Sequence, residues 1–217
     1  MPCMILADEA LARLKAGNER FRNNVRDLDA MASIARREKS LDKQEPFAII
    51  LGCSDSRVPA EIVFDQGLGD LFVIRVAGNV VAPSLTGSVE FSAIKHQARL
   101  VVVLGHTQCG AIEATVSELK QQSENRSPNL QSIVNRIQPS VQTLLESGIS
   151  DDNKLIKLAT RANIRASVAH LRHGSQVLED LCANDGLKIV GAEYILETGD
   201  VDFFTDQDHK TPDMIEY

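Results

Sequence analysis

Four short runs of almost unbroken apolar residues punctuate the chain, at residues 47–52, 71–74, 100–105 and 187–191. Each is strand-length and lacks alternation, so the pattern predicts strands buried on both faces of a parallel sheet. Between them, residues 84–98, 109–122, 128–147 and 154–183 read as helices. Strands alternating with helices predict an α/β fold, a mostly parallel central sheet with flanking helices. Pro139 stands inside the 128–147 stretch and predicts a kink or break there. Past the last run, Tyr194-Ile195-Leu196 and Val201-Asp202-Phe203-Phe204 flank Gly199-Asp200, the pattern of a hairpin adding an antiparallel edge to the sheet.

Ahead of the first strand, Leu6, Ala10, Leu14 and Phe21 fall near helical spacing, and residues 31–43 continue in helical style. These segments lie outside the strand series. They predict an N-terminal helical arm at 1–43, with apolar faces that need a partner, ahead of an α/β domain at 44–217. No internal repeat appears, and the tail from Thr205 is polar and acidic.

Composition narrows the class. The 217 residues suit one domain with an added arm. Apolar content of 43% supports a core that must be largely aliphatic, since aromatics are 4% and Trp is absent. A net charge of −7 argues against nucleic acid as a partner, because phosphate binding needs clustered Lys and Arg. No run approaches the roughly 20 apolar residues of a membrane span. Acidic residues interrupt the N-terminus too early for a secretory signal. The expectation is a cytoplasmic protein with no membrane partner, whose four cysteines stay reduced.

Two apolar runs end in residues able to bind a metal. The first leads into Cys53-Ser54-Asp55-Ser56-Arg57, the third into Gly105-His106-Thr107-Gln108-Cys109-Gly110. In a parallel sheet both ends share one edge, where α/β folds gather their ligands. Two thiolates with an imidazole favour tetrahedral Zn²⁺. A helix starting near Gln108 would aim its first amides at the Cys109 sulfur. A cysteine is also an ordinary buried hydrophobe, and these ligands would equally serve a closed structural site. Asp55 and Arg57 bear on the choice. If the segment stays extended, both side chains share one side, and a bidentate ion pair would hold Asp55 off the metal. An ordinary surface ion pair is the plain alternative.

Together with Asp70-Leu71-Phe72-Val73-Ile74-Arg75-Val76-Ala77-Gly78-Asn79 and Gly87-Ser88-Val89-Glu90-Phe91, these motifs closely resemble the signature of the β-class carbonic anhydrases, strongly over residues 44–115. The resemblance implies Cys53, His106 and Cys109 as ligands of one Zn²⁺ per subunit. It implies Asp55 as an exchangeable fourth ligand that otherwise pairs with Arg57, both acting in catalysis. It further implies Gln44 as a substrate contact from a partner subunit. Phe72, Ala77 and Phe91 match the lining of a small apolar pocket, and Gly78 fits the backbone beside the site. The family often has Tyr at the position of Phe91 and a larger apolar residue at that of Ala77. Some members carry a second bicarbonate pocket built on Trp, Arg and Tyr; here Ile50 stands at the Trp position beside matches at Arg75 and Tyr194, so no such pocket is expected.

The function so implied is zinc-dependent reversible hydration of carbon dioxide to bicarbonate and a proton, through hydroxide generated at the metal, in a homodimer or homotetramer. Hydrolysis of carbon disulfide or carbonyl sulfide, and a non-catalytic zinc-stabilised bicarbonate-binding module, are the competing readings. The remaining candidates read as structural. Cys182 sits among leucines as core filler, and Cys3 has no ligand-type neighbour. His170 and His173 read as a solvated face, and His96 and His209 as surface residues. Gly67-Leu68-Gly69-Asp70 reads as a turn.

Overall fold

A computed structural model of the chain describes residues 5–25, 33–121 and 127–204. The elements in order are α1 (Ala7–Arg22), α2 (Ile34–Lys39), β1 (Ala48–Gly52), α3 (Ala60–Val63), β2 (Leu71–Arg75), a 3₁₀ turn (Ala77–Asn79) and α4 (Pro83–Lys95). There follow β3 (Leu100–His106), α5 (Gly110–Lys120), α6 (Pro128–Glu146), α7 (Asp152–His173), α8 (Gln176–Asn184), β4 (Lys188–Tyr194) and β5 (Val201–Phe203). The sheet runs β2-β1-β3-β4-β5, with β5 antiparallel to β4 and every other pairing parallel. The four apolar runs are thus the four parallel strands, and the hairpin supplies the antiparallel edge.

Strand alternation splits the apolar runs between two cores. Ile49, Leu51, Val101, Val103 and Ile189 face α4, α7 and α8, against Val89, Ile164, Val168, Leu171 and Leu178. Ala48, Ile50, Val102, Leu104 and Ala192 face the other way, onto α1 and α3, against Leu14, Val63 and Phe64. With both faces covered, each position along β1 and β3 is buried, and alternation cannot appear in the sequence. A third cluster, built on Ile112, Val116, Ile137, Val141 and Leu155, includes Cys53 and Cys109 and fixes the loops at the strand ends.

Three expectations need correction. Pro139 does not break its helix, and α6 is continuous from Pro128 to Glu146. Pro139 and Asn135, whose carbonyl loses its amide partner, both lie on the exposed side. Ile137 and Val141 are fully buried on the other, so packing outweighs the roughly 3 kcal/mol a proline costs in a helix interior. The 154–183 stretch is two helices, separated at Gly174-Ser175, where the Ser175 hydroxyl caps α8 by accepting from the Leu178 amide. Finally, the apolar face of α1 does not stand free. Ala10 and Leu14 are fully buried on the chain's own sheet. Of residues 31–43, those at 34–39 form α2, while 31–32, like the tail from Thr205 with His209, and Cys3, lie outside the described residues. Among the described residues no helix is long and apolar enough to cross a membrane.

Two residues explain how closely α1 is seated. A Cβ on Gly17 would stand 1.8 Å from the Phe64 carbonyl oxygen, so only glycine permits this approach. The next residue, buried Asn18, donates to the carbonyls of Val63 and Gly199 (3.1 and 2.9 Å) and accepts from the Val201 amide (3.0 Å). It thereby joins α1, α3 and the β4–β5 hairpin. Replacing Gly17 by Ala should force α1 away from the sheet and destabilise the protein by about 1–3 kcal/mol or more, as for other overpacked sites, measurable by urea denaturation.

Candidate metal centre

β1 and β3 are neighbours in the sheet, with Gly52 paired to Leu104. Cys53, the first residue after β1, therefore lies beside the last residues of β3, and His106 ends that strand. The chain then turns through Thr107 and Gln108, the latter in the left-handed region at φ 54°. Cys109 follows as the residue capping α5. The sulfurs of Cys53 and Cys109 and an imidazole nitrogen of His106 all lie within 4.8 Å of one another, and all three residues are buried. Sequence and structure agree on this cluster, and α5 begins at Gly110, one residue into the 109–122 stretch.

The donor set fits a tetrahedral metal ion. The two sulfurs are 4.0 Å apart. Two Zn–S bonds of about 2.3 Å at the tetrahedral angle would span roughly 3.8 Å. His106 Nδ1 lies 2.9 Å from the Thr107 carbonyl oxygen, which can only accept, so Nδ1 carries the proton. Its Nε2 keeps a lone pair, and among the described residues this buried atom has no hydrogen-bond partner. A metal-ligating histidine has this arrangement.

The electrostatics point the same way. Hydrogen bonding from the Cys109 thiol lowers the pKa of Cys53 to about 4, while the Cys53 thiolate and then burial drive that of Cys109 upward. Burial alone would lower the pKa of His106, but the neighbouring Cys53 thiolate raises it above the ordinary imidazole value. One thiolate is readily formed, and the second needs a cation. The first amides of α5 already face the Cys109 sulfur, and the Gly78 amide donates to Cys53 Sγ at 3.3 Å. Gly78 sits at φ 68°, where a Cβ would meet Ile137 Cδ1 at 2.9 Å, so this donor also requires glycine.

Asp55 is turned toward Arg57. Arg57 Nε donates to Asp55 Oδ1 (3.0 Å) and Nη2 to Oδ2 (2.8 Å), with the Arg57 amide adding a third bond to Oδ1 (2.9 Å). These bonds hold the Asp55 carboxyl well below the usual carboxylate range. The segment does not stay extended. The Val58 amide bonds the Asp55 carbonyl, closing a turn, and the turn itself brings the two side chains together. Asp55 Oδ2 stands 3.8 Å from His106 Nε2, adjacent to the cluster.

Several other expected site residues are placed elsewhere. Ala77 opens the 3₁₀ turn beside Gly78. Gln44 is exposed at the opposite edge of the sheet, beyond a strand of five residues spanning about 17 Å at 3.3 Å per residue. Phe72 pairs with Ile49, three residues before the end of β2, and its ring packs with Phe91 (6.2 Å between centroids) and His96 (6.0 Å). Phe91 remains 51% exposed. His96 is half-buried against both rings, not a free surface residue. His170 and His173 are exposed. Ile50 and Tyr194 lie in the core under α1.

Sequence reasoning missed two supports. Arg75, directly across the sheet from Gly52, donates to the carbonyls of Cys53 (3.0 Å) and Asp55 (2.6 Å), pinning the ligand loop. Its place at the end of a strand beside β1 was the available signal. Glu197 accepts from Thr107 and Gln108, and its separation of about 90 residues from them left no local signal.

Comparison with known proteins agrees with this geometry. A family model described as carbonic anhydrase matches residues 48–201. The chain belongs to the β-class carbonic anhydrases. A carbonic anhydrase of Mycolicibacterium smegmatis is 38% identical over 189 residues, covering 87% of this chain and 89% of that protein. Carbonic anhydrase 2 of Mycobacterium tuberculosis is 37% identical, covering 86% and 87%. The solved structure of the β-carbonic anhydrase CcaA superposes with a TM-score of 0.72 at 24% identity, over 91% of this chain and 92% of that one. That of CafA from Aspergillus fumigatus gives 0.71 at 20% identity, over 94% of each. At these identities the two structures bear on the fold alone.

The cluster makes a direct prediction. The protein should retain close to one divalent metal ion per chain after gel filtration, and Cys109→Ala should weaken retention by about 100-fold or more. Metal analysis against a competing chelator measures both.

Proposed function

We propose that this β-class carbonic anhydrase catalyses the reversible hydration of carbon dioxide to bicarbonate and a proton, with one zinc ion per chain held by Cys53, His106 and Cys109. The observation carrying this reading is the Asp55–Arg57 pair. Three protein donors converge, and the carboxylate that could serve as a fourth is held beside them by the arginine. A closed structural site would use every donor within reach. Zinc in this cage supplies the Lewis acidity that makes water a nucleophile and stabilises negative charge on a substrate oxygen.

The chain's own residues supply orientation. Asp55 is ionised throughout the neutral range because Arg57 keeps its pKa low. It can therefore only accept a hydrogen bond, and it selects the water whose proton faces the carboxylate and whose lone pair faces the carbon. Arg57 fixes the carboxylate plane through two parallel bonds. The two thiolates bring more negative charge than imidazoles would, so the attacking water should lose its proton above the pH of about 7 typical of three-histidine sites.

One chain does not complete the site. Ala77 and Gly78 lie beside Cys53 in the same chain, whereas Gln44, Phe72 and Phe91 are carried away from it. We assign these three to the site of a second copy, Phe72 and Phe91 as an apolar wall for carbon dioxide and Gln44 as a substrate contact. Exposed Phe91 and Ile94 on α4 form part of the face that would meet that copy. The assembly is a homodimer, with pairing to a homotetramer as the next step, and residues 1–43 contribute to the contact. Its place is the cytoplasm, in keeping with the free thiols of Cys53, Cys109 and Cys182.

Stopped-flow hydration of carbon dioxide should show a rate rising from about pH 6 to pH 9, as expected for a thiolate-rich site. Activity should be lost on chelation and restored by zinc. Because Asp55 stays ionised, Arg57→Ala should act chiefly by freeing the carboxylate. A loss of about tenfold or more at neutral pH is expected, and full activity in that variant would refute the proposed role. Sharing of the site makes a further prediction: mixing inactive Gln44→Ala and Cys109→Ala proteins should restore activity through hybrid dimers holding one intact site. No recovery after verified subunit exchange would refute the sharing of Gln44 across the dimer contact.

A further inference from the structure

We propose that Glu197, on the turn of the β4–β5 hairpin, is a positioning residue that keeps Asp55 turned away from the metal cage. The proposal rests on the metal-dependent reading above and adds to it the element that sets the Asp55–Arg57 pair. Glu197 Oε2 accepts from the Thr107 hydroxyl at 3.1 Å, and Oε1 from Gln108 Nε2 at 2.6 Å. The Thr107 oxygen is itself fixed by the Leu196 amide at 3.0 Å, which leaves its proton for Glu197. One carboxylate thus grips both residues lying between the ligands His106 and Cys109.

Gln108 transmits the grip. Its backbone is left-handed at φ 54°, a conformation a non-glycine residue holds only when its surroundings impose it. Its carbonyl accepts from Arg57 Nη2 at 3.1 Å, and the same Nη2 donates to Asp55 Oδ2 at 2.8 Å. The guanidinium is held between two acceptors, one set by Glu197 through Gln108 and the other being Asp55. If Gln108 turns, Arg57 loses the first of them and its hold on Asp55 loosens. Asp55 Oδ2, 3.8 Å from His106 Nε2, is then the carboxylate poised to swing inward and close the cage.

The hairpin is a firm base for this device. Ile195 bonds Asp200 through its amide at 2.8 Å, and Gly199 closes the turn onto Ile195 at 2.8 Å. Asn18 and the Arg22–Asp200 ion pair (2.5 Å) tie the same turn to α1. Glutamate suits the position because two donors converge on it and its two oxygens accept both, whereas a glutamine offers only one acceptor.

The test uses the full-length protein loaded with cobalt(II), read by visible absorption and titrated with thiocyanate near neutral pH. Glu197→Ala should keep the cobalt stoichiometry of the parent but bind thiocyanate about tenfold more weakly, with Glu197→Gln in between. In an Asp55→Ala background the same change should have no effect, because no carboxylate remains to close the cage. Unchanged thiocyanate affinity in Glu197→Ala overturns the proposal. So does a weakening of equal size in the Asp55→Ala background, which would mark mere distortion of the loop. If the parent hydrates carbon dioxide and only these Glu197 effects are missing, this inference alone fails; a parent that holds no cobalt and hydrates no carbon dioxide removes both it and the proposed function.

Discussion

Two cysteine sulfurs held 4.0 Å apart in a buried cluster impose the constraint around which this end of the molecule is arranged. Either thiol can lose its proton by leaning on the other, but both can be thiolates only beside a cation. The surroundings prepare for that state. The Gly78 amide donates to one sulfur, the first turn of α5 faces the other, and among the described residues His106 Nε2 has no hydrogen-bond partner. Each of these groups is polar, buried and aimed inward, an arrangement that makes little sense for a dry core.

Rigidity is then supplied from every side. Arg75 holds the Cys53–Asp55 backbone from β2. Asn163 and Ser167 on α7 bond the carbonyls of Gly78 and Asn79 (2.8 and 3.1 Å), fixing the turn that carries the Gly78 donor. Glu197 fixes the turn between the other two ligands. Preorganisation of this kind puts a cluster that could hold a metal on strand ends and helix starts, with Asp55 paired to Arg57 beside it.

Much of this was legible in the sequence, for specific reasons. Strands buried on both faces announce themselves as unbroken apolar runs, and a parallel sheet forces their carboxyl ends together. Cys53, His106 and Cys109 therefore needed no long-range guess. What sequence could not provide was long-range or cancelled by packing. Asn18 bonds a residue some 180 positions away, and Glu197 one some 90 positions away. Pro139 was read by its local rule, which the burial of Ile137 and Val141 overrides. The free face expected of α1 was misread because Ala10 and Leu14 meet strands that lie far along the chain. Asp55 and Arg57 were correctly paired, but through a turn whose hydrogen bonds the sequence did not display.

The same sheet that gathers the cage also bears on the proposal that two chains share a site. Parallel strands put all the carboxyl ends on one edge, so residues entering the strands, such as Gln44, must lie on the other. Phe72 packs on the core at the edge strand β2, and its partner ring Phe91 on α4 is half exposed. A second copy whose edge meets this one could supply an apolar wall without altering the chain path, because a two-fold pairing brings each chain's outward face to the other's cage. In this view the cage is set by the topology of one chain, and the small apolar pocket by the contact between two.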